Sequence, residues 1–148
     1  MNPRLLSDMV IGEVGAPIGA ANNTDSNSDI LDMAGFEGVV FVGTVTDSVA
    51  TGVATLKVEQ SDANADGAMA AITGATASAT CAVNDDINDK VLMVEVYRPA
   101  KRYVQGVRVS ATANIAFGSL IAIRYGSRKL PVTADSTVLA SASVTPSA

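Results

Sequence analysis

The sequence predicts an all-β protein, built as a single β-sandwich or barrel-like domain of about six to eight strands. Short runs rich in Val, Ile and Thr recur about every ten to fifteen residues, separated by clusters of Gly, Asp and Asn. Several of these runs alternate apolar and polar residues, as a half-buried strand does. No segment sustains a 3.6-residue apolar stripe over the length of a helix. The 148 residues suit one domain, with no internal repeat.

The first 29 residues read as an N-terminal arm, because Gly12, Gly15, Pro17 and Gly19 interrupt any periodicity and residues 20–29 are polar and turn-rich. The β domain is expected over residues 30–131. Its first convincing strand is Gly38 to Val45, whose Val and Phe content fits the centre of a sheet. After a short turn, Val53 to Ser61 places Ala54, Leu56 and Val58 on one face and Thr55, Lys57 and Glu59 on the other. Two such runs about six residues apart read as a hairpin. Residues 62–76 read as a loop, with a helical turn near Gly67 to Ile72. Further strands are expected at Ala77–Val83, Lys90–Tyr97, Tyr103–Ala113 and Ser119–Tyr125. Residues 84–89 form an acidic turn, and Pro99 stops the strand before it because proline lacks a ladder donor. Residues 132–148 are expected to be a C-terminal arm or an edge strand given to a neighbour.

Composition narrows the chemistry. The chain has no His and a single Cys, Cys81, which excludes His-dependent triads and Cys/His zinc centres. Cys81, in an alternating run, is expected to be a small buried hydrophobe, and one Cys makes no intrachain disulfide. Neither a dinucleotide fingerprint nor a P-loop is present. The protein is therefore expected not to be an enzyme and to need no cofactor. Adjacent Asp85 and Asp86 belong to a solvated turn, not an acid–base pair. Aromatic residues are 4% of the chain, against 48% hydrophobic residues dominated by Ala and Val. The core must then be thin and closely packed, since each buried CH₂ contributes only about 0.8 kcal/mol. No run approaches the ~20 apolar residues that span a bilayer, and the N-terminus lacks a secretory pattern. The expectation is a soluble protein made in the cytoplasm, without a membrane partner.

Asp62-Ala63-Asn64-Ala65-Asp66-Gly67 matches the first half of a calcium loop. Asp62, Asn64 and Asp66 are the candidate ligands. The twelfth position holds Thr73 where a bidentate Glu is needed, and a strand precedes the loop where a helix belongs. The expected state is a polar loop without metal.

Charge is divided along the chain. Residues 1–97 carry 14 acids and 3 bases, a net of −11; residues 98–148 carry 1 acid and 7 bases, a net of +6. Opposite signs in the two halves predict contact surfaces between protein subunits, and the overall net of −5 argues against direct nucleic-acid binding. The bases cluster in Arg98-Pro99-Ala100-Lys101-Arg102-Tyr103 and Arg124-Tyr125-Gly126-Ser127-Arg128-Lys129. Arginine forks pair with carboxylates and tyrosines add rigid contact area. Arg98, Lys101, Arg102, Tyr103, Arg124, Tyr125, Arg128 and Lys129 are therefore the interface candidates. The competing reading is a solvated sheet end whose arginine stems cover apolar surface.

Three segments carry a family resemblance: Leu31 to Val39, Val94 to Val104 with its YRPAKRYV core, and Ile121 to Pro131 with YGSRKLP. Together they resemble small proteins encoded beside the major capsid protein in tailed-phage genomes. The resemblance implies a β-rich virion protein of the head, with the major capsid protein and its own copies as partners. Within that setting it implies capsid decoration (cement), or alternatively a head-completion, neck-connector or tail-tube role. A ligand-binding β-sandwich module is the reading from another class. No catalytic residues accompany the resemblance.

Overall fold

The computed structural model describes residues 5–147. After a one-turn helix (Leu5–Asp8), ten strands follow: β1 (Val10–Gly15), β2 (Ile18–Ala21), β3 (Thr24–Asn27), β4 (Leu31–Asp32), β5 (Gly38–Ser48), β6 (Val53–Ser61), β7 (Ala70–Thr80), β8 (Lys90–Tyr97), β9 (Tyr103–Ala111) and β10 (Ile115–Tyr125). They form two antiparallel five-stranded sheets packed as a β-sandwich. Sheet A runs β1-β10-β5-β8, with β2 continuing the β1 edge; sheet B runs β3-β9-β6-β7, with β4 continuing the β3 edge.

The all-β expectation holds, and two strands coincide with their sequence limits, Val53–Ser61 and Lys90–Tyr97. Ala54, Leu56 and Val58 turn inward and are fully buried. They face Val39, Phe41 and Val45 of β5, which lies inside sheet A. The β5–β6 hairpin is corrected: β5 bonds β10 and β8, whereas β6 bonds β7 and β9. The two strands stack across the core. Both runs alternate with the same period, so each buries its apolar face equally well by stacking or by pairing. The connection 49–52 carries the chain from one sheet to the other. Gly52 closes it by donating to the Val49 carbonyl at 2.9 Å, and a Cβ there would meet Val49 and Ile115.

Residues expected to be an N-terminal arm instead supply β1, β2 and β3. These strands lie along β10 and β9, so one segment completes the same edge of both sheets. Their Gly-rich and polar residues carry a weak strand signal because only one side of each is bonded and half their side chains face water. The expected loop 62–76 is shorter, a 3-10 turn at Asp66–Ala68 followed by β7 from Ala70. Pairing with β6 holds this Ala-rich strand extended against its own weak β propensity. The C-terminal segment beyond Tyr125 forms no strand among the described residues. It runs beside β1, where the Glu13 amide donates to Thr137 Oγ1 at 2.9 Å.

The core combines two shapes of residue. Phe41 is its largest fully buried side chain. Opposite it, Gly106 of β9 leaves room for the ring, since a Cβ at 106 would lie 2.9 Å from Phe41 Cδ1 and 3.0 Å from Leu120 Cδ2. Gly106→Ala is therefore expected to cost about 1–3 kcal/mol through overpacking, read as a lower urea midpoint at unchanged slope. Arg108, also on β9, is buried and crosses the sandwich to donate from Nη1 to the Gly118 carbonyl of β10 at 2.7 Å. Burial holds its pKa below the usual guanidinium value. Cys81 is fully buried, as expected for a small hydrophobe.

Candidate functional site

Antiparallel pairing brings distant segments to one end of the sandwich. Gly38 opposes both Tyr97 and Tyr125, and Tyr103 opposes both Asp32 and Ser61. The connections 33–37, 98–102 and 126–131 therefore leave the sheets side by side. Backbone hydrogen bonds lace them together. The Arg98 amide donates to Glu37 at 2.7 Å, Met33 to Arg102 at 2.8 Å, Glu37 to Tyr125 at 2.9 Å and Arg128 to Gly35 at 2.9 Å. Gly35 adopts φ +85, a left-handed conformation that glycine accepts without a Cβ clash.

Charged side chains then build a rim. Arg102 grips Asp32 with a two-pronged fork, Nε to Oδ1 at 3.0 Å and Nη2 to Oδ2 at 2.9 Å. Arg98 pairs with Glu37 at 3.5 Å, and Lys101 pairs with Asp62. Arg98 stacks over Tyr97 and Arg102 over Tyr103, with guanidinium-to-ring distances of 5.1 and 5.3 Å. Arg124 is half-buried. It stacks over Phe36 at 4.8 Å and donates to the Asp32 carbonyl at 3.0 Å. Arg128 and Lys129 are exposed and make no ion pair among the described residues.

These loops enclose an open depression of about 630 Å³, floored by Met33, Phe36 and Pro99 and ringed by Arg98, Lys101, Arg102 and Arg128. A neighbouring hollow of about 430 Å³ shares Phe36 and adds Arg124 and Lys129. Six of the eight sequence-predicted residues thus converge on two adjoining hollows. Tyr103 supports Arg102 from beneath. Tyr125 turns away: its ring lies over Gly38, where a side chain would collide, and its hydroxyl donates to Glu95 Oε2 at 2.6 Å. Partial burial and that carboxylate push the Tyr125 hydroxyl pKa well above its ordinary value. Asp32, Glu37 and Asp62 pair with the rim cations and Phe36 lies in the floor, without having been marked as interface residues. The signal available was the flanking of Phe36 by acids inside the Leu31–Val39 segment.

The Arg102 fork, helped by the Ala34 amide, holds the Asp32 carboxyl below the usual carboxylate range. A depressed folded-state pKa stabilises the fold above the unfolded value, near 4, and that contribution is lost as pH falls through the folded value. Asp32→Asn is expected to cost about 0.5–1 kcal/mol at neutral pH, in the range of half-exposed pairs. It should also reduce the loss of thermal stability on acidification below about pH 4, as read by Tm against pH.

The candidate calcium ligands do not gather. Asp62 faces Lys101, whereas Asp66 accepts from Asn27 Nδ2 at 2.9 Å and Gln105 Nε2 at 2.6 Å. Asn64 is exposed. Among the described residues, no group of three acidic, His or Cys side chains is placed to hold a metal ion, and no helix is long and apolar enough to cross a membrane.

No family model and no curated protein matches this sequence. Among solved structures, the chain is similar to the PBSX exported protein XepA, at 17% identity and a TM-score of 0.52, over 98% of this chain and 46% of that one. It thus spans about half of XepA. It is also similar to the SPBc2 prophage-derived protein YomS, at 11% identity and a TM-score of 0.43, over 79% of this chain and 96% of that one. What the XepA likeness establishes is the shared β fold.

Proposed function

We propose that this protein is a virion structural subunit, a decoration (cement) protein that binds the outer face of a tailed-phage head and stabilises the shell. The observation that carries this reading is the convergence of Arg98, Lys101, Arg102 and Arg128 around an apolar-floored depression at one end of a stiff sandwich. Most of these cations are already oriented by Asp32, Glu37 and Asp62. Little side-chain freedom is left to lose when a partner docks. The Leu31–Val39, Val94–Val104 and Ile121–Pro131 segments supply the resemblance to head proteins, and the fold likeness to prophage-encoded XepA is consistent with a phage origin.

The partner is the major capsid protein, met through an acidic, partly apolar surface. Contacts available only on the assembled shell stabilise that state by binding linkage. The protein acts by attachment and not by turnover, in the virion head, without a cofactor. The experiment is copy counting by mass spectrometry of purified virions, with add-back of the protein to expanded heads that lack it. Hundreds of copies and saturable add-back support decoration. A small ring count moves the protein to the head-completion, neck-connector or tail-tube role. Absence from particles, or no binding to the heads, overturns the proposal.

A further inference from the structure

Each sheet edge of the sandwich is protected except one. The β1 edge is covered by the C-terminal segment through Thr137. β2, β3 and β4 are only two to four residues long. β7 is broken by a register shift against β6 and by Gly74 at φ +84, and its outward residues are small. These are the ordinary devices that stop edges from pairing. β8 is neither covered, short nor broken, and its only charges are Lys90 at its first position and Glu95, which accepts from the Tyr125 hydroxyl. It is the last strand of sheet A, pairs with β5 over eight residues without a register shift, and contains no Pro or Gly. Its outward face exposes Val91, Met93 and Tyr97 at 50%, 63% and 56%, with exposed Glu95 between the last two. The adjoining outer face of sheet A continues this row with half-buried Val40, Val42, Ile121 and Ile123. Sheet B instead shows water Thr55, Lys57 and Glu59, with Lys57 paired to Asp25 and Glu59.

We propose that β8 is a docking edge for a second copy of this chain, which pairs with it antiparallel about a two-fold axis and continues sheet A across both molecules. Charge selects the occupant and the direction. The turn entering β8 carries Asp85, Asp86 and Asp89 ahead of Lys90, and the connection leaving it carries Arg98, Lys101 and Arg102, each exposed and paired to an acid of its own chain. Antiparallel self-pairing lays the acidic turn of each copy beside the basic loop of the other, twice by symmetry. Parallel pairing would set like charge against like. A two-fold axis normal to the sheet also keeps inward faces together. Leu92, Val94 and Val96 of the two copies then extend one core, while Val91 and Met93 extend one outer row.

The inference needs no capsid, although it draws on Arg98, Lys101 and Arg102, which also ring the depression proposed to meet the capsid. Sedimentation velocity on the full chain, at about 10–100 µM, is expected to give twice the 15.0 kDa chain mass. Val91→Lys with Met93→Lys is expected to weaken self-association at least about tenfold and return the monomer, since edge lysines oppose pairing. Both side chains are exposed, so the circular dichroism and Tm of that variant should stay at the wild-type values. Leu139→Lys, at the most exposed large apolar residue, should leave the dimer intact. A wild-type chain that remains monomeric throughout this range overturns the proposal. So does a dimer, or a larger oligomer, that the β8 lysines leave unchanged.

Discussion

Phe41→Ala is expected to remove about 3–5 kcal/mol of unfolding free energy, the largest loss from any single truncation proposed for this chain. Phe41 is fully exposed to its neighbours and not at all to water, at 0% solvent exposure, on a strand bonded on both sides. It reaches across the sandwich into the space left by Gly106 and against Leu120. The surrounding core is mostly Val, Leu and Ala on strands whose positions are fixed by their ladders. Such a wall collapses poorly into a vacated ring site, so the cavity term adds in full to the transfer term. Against a total stability of about 5–15 kcal/mol, the variant retains little margin. Urea denaturation should show a lower midpoint at an unchanged slope, with Tm lower by roughly 10 °C. A loss below about 1 kcal/mol would mean that the ring does not hold the two sheets together.

The second large effect concerns attachment. Under the proposed decoration role, Arg128→Glu with Lys129→Glu is expected to weaken binding to expanded heads by about 100-fold, which corresponds to about 2.7 kcal/mol. Both side chains are exposed and make no ion pair among the described residues. Reversal therefore breaks no ion pair among the described residues, and Tm and circular dichroism should be preserved. At the docking surface each reversal replaces attraction by repulsion, and the effect should shrink as salt screens the rim. Arg102→Glu is a poorer probe, because it also breaks the fork on Asp32 and sets two carboxylates together. Unchanged affinity of the double variant at low salt would remove the basic end from the attachment surface.

Legibility in the sequence followed the range of the interaction concerned. The strands Val53–Ser61 and Lys90–Tyr97 were readable because alternation reports which side of a strand is buried, a property of consecutive residues. The basic clusters beside strand ends were readable as residue chemistry, since Arg and Tyr keep their pairing and stacking preferences wherever the fold carries them. Their convergence was not readable. Arg98 and Arg128 are 30 positions apart, and only the antiparallel pairing of β8 and β10 with β5 brings their loops to one hollow. Asp62 illustrates the same gap. Its spacing to Asn64 and Asp66 suggested calcium, whereas the end of β6 delivers it to Lys101.

By itself, then, the order of residues determined the all-β class, the inward faces of the main strands and the segregation of charge along the chain. Tertiary structure alone decided that β5 and β6 stack and do not pair, that residues 10–27 complete two sheet edges, and that β8 is left bare. The reason is physical: burial periodicity is written locally, while a strand's partner is set by hydrogen bonds and packing between residues far apart in the chain.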